Sequence, residues 1–343
     1  MRALVLERPG PLDDASGSTV EPPLRVAALP TPEPGPGQLR LRVTACAVCR
    51  TDLQLVTGEL VAHRLPVVPG HQVVGLVEAV GPGVTGWSVG QRGGAFWLAW
   101  ACGVCDLCRR GQENLCRRGE FTGWDRDGGF AEQLLTEAAF TLPLPAGFSD
   151  LAAAPLLCGG VIGYRALRVA GVTPGSRLGL FGFGASARLV LQVARHWGCE
   201  VFVAARGAAD RRQALAMGAA WAGSLDERPP VALQAAITTA PVGQAIVAAL
   251  DALDRGGTVA VNAIHLDGVP SFPYESLWWE RSVRSVANVT RADAREFLAL
   301  AAAIPIRTEV EAFPLAEGAH ALQRVAKGTI EGTPVLLPEG PAG

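Results

Sequence analysis

Along the first 145 residues, apolar positions come in short runs broken by polar and turn-forming stretches. "LRLRVTAC", "VVGLVEAVG" and "AEQLLT" have the spacing of strands, and "TPEPGPGQ", "GPGVTGWSVGQR" and "RDGG" separate them. Many short strands punctuated by Gly and Pro predict an irregular β domain. From about residue 150 the texture changes. "SRLGLFGFG" reads as a strand entering a glycine turn, and "ASARLVLQVARHWG" as a helix ending at Gly198. "CEVFVAAR" is the next strand, "ADRRQALAMGA" the next helix and "GGTVAVNAI" a later strand. Such alternation predicts βαβ units around a parallel sheet. After about 290 a helix, "RADAREFLALAAAI", leads to strand-like "RTEVEAFPL" and a last helix and strand. "PLDDASGSTVEPP" reads as a polar surface loop, and no internal repeat is visible.

Composition narrows the function. The chain has 343 residues, enough for two domains at about 150 residues each. Net charge is −2 and no long run of one sign occurs, which argues against nucleic acid or an anionic membrane as partner. No apolar run reaches the roughly 18 residues of a membrane span, and the N-terminus lacks a signal-peptide core. The expectation is a cytoplasmic protein. Lys327 is the single lysine, so Schiff-base chemistry has almost no place to occur.

The eight cysteines change the picture further. Four of them, Cys102, Cys105, Cys108 and Cys116, fall in "CGVCDLCRRGQENLC". Four thiolates at short spacing suit a closed tetrahedral zinc site, with an iron–sulfur cluster as the competing reading. Arg109, Arg110, Arg117 and Arg118 offset the thiolate charge. Two more cysteines, Cys46 and Cys49, stand in "CAVCRTDLQ", and Cys158 and Cys199 are isolated.

"GLFGFGASA" supplies Gly182, Gly184 and Ala187 between a strand and a helix. Gly182 permits the tight turn, Gly184 lets backbone approach a pyrophosphate, and Ala187 allows close packing. The bland alternative is an ordinary strand–helix turn. At the tip of the second strand stands Arg206, with Arg211 and Arg212 beyond and no carboxylate to hold ribose hydroxyls. A guanidinium suits a 2′-phosphate, so NADP is favoured over NAD; stacking of Arg206 on adenine is the alternative.

"CRTDL", "PGHQVVGLVEAVGPGV", the four-cysteine lobe, "APLLCGGVIGYRAL" and "GFGASA" follow one another in an order that closely resembles the zinc-dependent medium-chain alcohol dehydrogenases. The resemblance spans essentially the whole chain. It implies α/β architecture: a GroES-like catalytic domain over 1–150 with the structural zinc lobe, a Rossmann cofactor domain over 151–290, and a return to the first domain over 291–343. The active site is expected in the cleft between them. It also implies two zinc ions per chain, a nicotinamide dinucleotide, a small alcohol or aldehyde substrate and a homo-oligomer. Cys49, His71 and Cys158 become the ligands of a catalytic zinc with one open position. Asp52 becomes the carboxylate behind His71, Arg50 a pyrophosphate contact, and Thr51 the hydroxyl that takes the substrate proton. Trp97 resembles an aromatic that narrows the substrate pocket, with Trp124 and Leu156 as further wall residues; the alternative is that they fill the core. Cys46 and Cys199 are read as core filler and His63 as a surface residue.

Three departures from the family pattern stand out. Gln54 occupies a place where many relatives have a His that passes the proton to solvent, and Gln does not titrate. Gln72 follows the zinc histidine where Glu is common. Near the C-terminus Glu331 and Thr333 stand where an Arg near the cofactor phosphates is often found. Two rival readings remain: a zinc-free quinone-reductase relative, which should lack Cys49, His71 and Cys158, and a non-catalytic cofactor-binding or scaffold protein, which should lose a ligand or Thr51.

Overall fold

The computed structural model describes residues 1–12, 22–264 and 266–339. Most of the loop expected over 11–23 lies outside the described residues. Contacts divide the chain into two compact units. Unit 1 comprises Met1–Cys158, Asn288–Ala302 and the chain from Arg307 onward; unit 2 comprises Gly159–Ala287 with Ala303–Ile306.

Unit 1 is built on a mixed, mainly antiparallel seven-stranded sheet. Its long strand Gln38–Ala47 alternates partly covered and buried positions and pairs with Gln72–Val80, Gln133–Glu137 and Thr333–Leu337, all antiparallel. The last of these comes from the C-terminal end of the chain and sets Leu336 opposite Cys46. Cys46 is fully buried, in a core that includes Leu4, Leu6, Leu55, Phe130 and Leu336. Burial pushes its thiol well above the ordinary range, and it plays the part of a small hydrophobe.

Unit 2 realises the expected βαβ alternation. Its six strands are all parallel, in the spatial order Trp221–Gly223, Glu200–Ala204, Arg177–Phe181, Leu233–Thr238, Leu253–Val261, Ser282–Ser285. The order reverses between the third and fourth, which makes a topological switch point there. The helix Ala185–His196 follows Arg177–Phe181 and buries Ala187, Leu189, Val190, Leu191, Val193 and Ala194. Gly198 closes it in a left-handed conformation, φ 72°. Among the described residues no helix is long and apolar enough to cross a membrane.

Candidate active site and metal centres

"CAVCRTDLQ" leaves the strand Gln38–Ala47 and turns directly into a helix, Arg50–Thr57. Cys49 is the extended N-cap, φ −118° and ψ 160°. Asp52, in the first turn, accepts the Cys49 N–H through Oδ2 at 2.8 Å. A carboxylate there satisfies an otherwise orphaned donor and suits the positive end of the helix. The other oxygen, Oδ1, accepts the Gly70 N–H at 3.2 Å and lies 3.1 Å from His71 Nδ1. One carboxylate therefore joins the helix start, the loop before the histidine and the histidine itself. Because a carboxylate only accepts, Nδ1 carries the proton and Nε2 is left for a metal. Asp52 is 2% and His71 1% exposed, so this pairing is nearly dry.

The backbone before His71 is gripped from the other side. Gly128 N–H donates to Val68 O at 2.6 Å, Gly129 N–H to Gly70 O at 2.8 Å and Phe130 N–H to Pro69 O at 3.0 Å. A Cβ on Gly128 would sit 2.1 Å from Gly70 O, so only glycine permits this approach. "RDGG" is thus a backbone brace as well as a turn. Cys158 arrives from a third direction, after the 3₁₀ turn Ala154–Leu157.

These elements bring one donor atom each from Cys49, His71 and Cys158 within 4.8 Å of one another. A hydrogen bond from Cys158 holds the Cys49 thiol well below its usual range, and the same contact, with burial, pushes Cys158 well above it. Burial alone would lower His71, yet the Asp52 charge and hydrogen bond, with Cys49, raise it to about 10. The pocket focuses negative charge on one buried imidazole. Three borderline-soft donors with that charge fit zinc, and their number leaves one coordination position open.

Thr51 is buried and its Oγ1 lies 3.7 Å from Cys49 Sγ. Gln54 is buried on the same helix, and Arg50 is exposed at its start. Gln72 Nε2 donates to Ala47 O at 3.3 Å, so its side chain is tied to the neighbouring strand. Leu156 is fully buried two residues before Cys158.

The indole of Trp97 meets the His71 ring edge-on, centroids 4.8 Å apart. Trp97 stacks with Phe121 and Trp124 at 5.5 and 5.7 Å, and His63 stacks on Trp124 at 3.8 Å. His63 Nδ1 lies 2.6 Å from Asp125 Oδ1, and Trp124 Nε1 donates to Val61 O at 2.8 Å. His63, half exposed, is therefore the outer plate of an aromatic stack that starts at His71. Sequence reasoning missed this role, and nothing local to His63 signals it.

In the lobe, Cys102, Cys105, Cys108 and Cys116 also place their sulfurs within 4.8 Å of one another, with Cys102 and Cys108 at 3.9 Å. A tetrahedral zinc with Zn–S near 2.3 Å would set sulfurs roughly 3.8 Å apart. Backbone N–H groups of Cys102 and Cys105 donate to Cys116 and Cys102 sulfurs, each at 3.4 Å. The Arg118 guanidinium and the N–H groups of Val104 and Cys105 bring Cys102 down to about 5, whereas desolvation and the neighbouring Cys105 push Cys108 up to about 12. Four sulfurs crowded this closely, with Cys102 and Cys108 driven in opposite directions, suit a bound dication.

In unit 2, Gly182 has φ 101°, and a Cβ there would strike Thr239 Oγ1 at 2.6 Å. Gly184 caps the helix Ala185–His196 with no side-chain partner, and a Cβ on it would meet nothing within 4 Å. An uncapped helix N-terminus beside open space suits a phosphate. Ala187 is fully buried against the sheet. Of the three arginines after the second strand, Arg211 Nη1 donates to Ala205 O and Arg206 O at 2.8 and 2.9 Å, while Arg206 itself is exposed.

Comparison with known proteins agrees with this geometry. Residues 35–146 match the alcohol dehydrogenase GroES-like domain. A Mycobacterium tuberculosis protein described as "Probable alcohol dehydrogenase AdhA" is 47% identical over 98% of this chain and 97% of its own length. An alcohol dehydrogenase of Geobacillus stearothermophilus is 34% identical over 92% of this chain and 96% of its own. Among solved structures, a cobalt- and zinc-bound thermostable alcohol dehydrogenase from Pyrobaculum aerophilum superposes with TM-score 0.87 at 25% identity, covering 98% of this chain and 99% of that one. With relatives of this kind matched along nearly their whole length, and two cysteine-rich groups that could each hold a metal ion, the chain belongs to the zinc-dependent medium-chain alcohol dehydrogenases.

Proposed function

We propose that the protein interconverts a small primary or secondary alcohol with its aldehyde or ketone, using a nicotinamide dinucleotide, at the Cys49–His71–Cys158 centre. The observation that carries this is the convergence of those three donors beside a buried hydroxyl, Thr51. Bound zinc supplies Lewis acidity toward an alcohol oxygen, and the dinucleotide supplies the hydride acceptor. Asp52 fixes the His71 tautomer and ring orientation. The Thr51 hydroxyl both accepts and donates, so it can take the alcohol proton and pass it on. Gln54 does not titrate, so beyond Thr51 the proton must leave through groups other than this side chain. Trp97 and Trp124 stack into an apolar surface beside His71 that favours slim or flat substrates.

Unit 2 is the cofactor domain in this reading, and unit 1 the catalytic one. Gly182, Gly184 and the helix start at Ala185 are suited to receive the pyrophosphate. Arg211 is spent on carbonyls and Arg206 is exposed, so Arg206 is the guanidinium at that strand tip suited to a 2′-phosphate; this favours NADP. Strand Ser282–Ser285 is an exposed sheet edge next to the half-exposed Trp278 and Trp279, which supports a homo-oligomer through this face. Eight free cysteines suit a reducing, cytoplasmic setting.

The test is a steady-state screen of short-chain and aromatic alcohols and aldehydes with NAD(H) and NADP(H), alongside zinc analysis. Turnover with two zincs per chain supports the reading. One zinc per chain and no turnover would favour a non-catalytic dinucleotide-binding protein, and a strong NAD(H) preference would remove the role given to Arg206.

A further inference from the structure

The chain that runs from the helix Arg50–Thr57 to His71 makes contacts of its own. Gly58, φ 86°, ends the helix in a left-handed conformation. The stretch that follows, 59–66, lies on the surface, with Val61, His63, Arg64 and Leu65 exposed. Polar contacts nonetheless pin it to the turn at 121–127. Trp124 Nε1 donates to Val61 O at 2.8 Å, and His63 Nδ1 lies 2.6 Å from Asp125 Oδ1. The Arg64 guanidinium lies 3.3 Å from Asp127 Oδ1, and the same oxygen accepts the Val68 N–H at 3.0 Å. The stretch is therefore a strap, bracketed in sequence by Thr51 and His71 and fastened to the residues around Trp124.

Asp125 is the fastening point. Its Oδ2 accepts the Phe121 N–H at 2.9 Å while Oδ1 faces His63. A carboxylate only accepts, so His63 Nδ1 carries the proton and the plane of the ring is fixed. That ring lies flat on the Trp124 indole, centroids 3.8 Å apart and planes 23° from parallel. Trp124 in turn meets Phe121 at 5.6 Å and Trp97 at 5.7 Å, and Trp97 meets His71. A partly exposed pair such as His63 and Asp125 adds little to stability, and a ring on the surface fills no core. What the pair does is hold one face of an indole that would otherwise be free to pivot about its single N–H bond to Val61.

We infer that Asp125 and His63 act as one positioning unit, which holds Trp124 in the plane that suits an aryl ring and so sets the preference for aryl over short aliphatic alcohols. The inference rests on the alcohol–carbonyl reading above. Neither residue touches the metal donors; both act through the indole.

A small set of variants tests it. Asp125→Asn has one acceptor oxygen, so it can serve Phe121 or His63 but not both. His63→Ala removes the plate, and His63→Phe restores a flat ring without the N–H. The readout is kcat/KM for benzyl and cinnamyl alcohol relative to 1-propanol. Asp125→Asn and His63→Ala should each lower that ratio about three- to tenfold, through KM, with kcat for 1-propanol unchanged. The double variant should lose no more than the worse single one, because the two residues act together. His63→Phe should recover most of the loss. The near-UV circular dichroism of the neighbouring Trp97 and Trp124 indoles should change in both single variants, with or without metal. An unchanged ratio, additive losses, or equal weakening of aryl and aliphatic substrates would overturn the assignment. If Asp125→Asn fails to fold, His63→Ala and His63→Phe carry the same comparison. Wild-type protein that oxidises 1-propanol but neither aryl alcohol would overturn this inference alone, and wild-type protein that oxidises none of the three would overturn the alcohol–carbonyl reading with it.

Discussion

Asp52 and His71, nineteen residues apart, meet with Oδ1 3.1 Å from Nδ1, both almost completely buried. The same carboxylate caps the helix that begins after Cys49. Two of the three proposed metal donors are thus positioned by one side chain. Asp52→Asn keeps an oxygen for the Nδ1–H but removes the charge. It should weaken zinc at this centre by about 10–100-fold, read by chelator competition, while the four-cysteine lobe keeps its metal.

Cys49→Ala removes one of three donors without touching the lobe. The expected outcome is one zinc per chain in place of two, a circular dichroism spectrum like that of wild type, and loss of turnover. Unchanged kcat would reject Cys49 as a ligand. In contrast, Cys105→Ser should damage folding, because a structural zinc site contributes directly to stability.

Glu113 sits in the lobe with its side chain 13% exposed, and takes Arg291 Nη2 at 2.6 Å and the Arg291 backbone N–H at 2.8 Å. Burial alone would raise its pKa, but the Arg291 hydrogen bonds and charge prevail and hold it below the usual carboxylate value. A carboxylate lowered in the fold stabilises it fully above the unfolded pKa of about 4.3, and that contribution fades as pH falls through the lower folded value. Glu113→Gln should cost about 1–3 kcal/mol at neutral pH. The gap in Tm between variant and wild type should then narrow below about pH 4. A gap that stays constant from pH 7 to 3 would show that the pair's charge contributes nothing.

Gln54→His places a titratable ring on the helix that carries Thr51. If proton exit limits turnover, kcat should rise and acquire a pH dependence near the ordinary His value of about 6.5. If product release is limiting, kcat stays flat and only pre-steady-state proton release changes.

His63→Ala takes the outer plate off Trp124. With the indole less firmly held, KM for aromatic alcohols should rise several-fold while KM for ethanol moves little. A uniform fall in kcat for all substrates would mean that His63 acts on the metal centre instead.

Much of this was readable before any coordinates. The lobe at 102–116 is local, so its spacing alone announces a metal. The glycine turn is local as well, and its strand–helix context predicts the parallel sheet. Cys49, His71 and Cys158 come from distant parts of the chain, and only their place in a family pattern joins them. Other features depend on tertiary contact and leave no trace in local pattern. Glu113 and Arg291 are 178 residues apart. The stacking of His63 on Trp124 needs the loop around 61–63 folded against the turn at 121–126. The helix Arg50–Thr57 is short, and its start depends on Asp52 as a cap more than on apolar periodicity. Arg206 and Arg211 look equivalent in sequence and differ only once Arg211 is seen closing a strand end.

The close approach of Gly128 and Gly129 to residues 68–70 has a consequence for anyone moving this centre to another scaffold. The three chelating side chains are not a portable set. His71 owes its place to main-chain atoms on two separate strings of peptide, which must travel as one part. In a saturation library, positions 128 and 70 should reject nearly every replacement, even though neither side has any atom to offer a metal, a cofactor or a substrate.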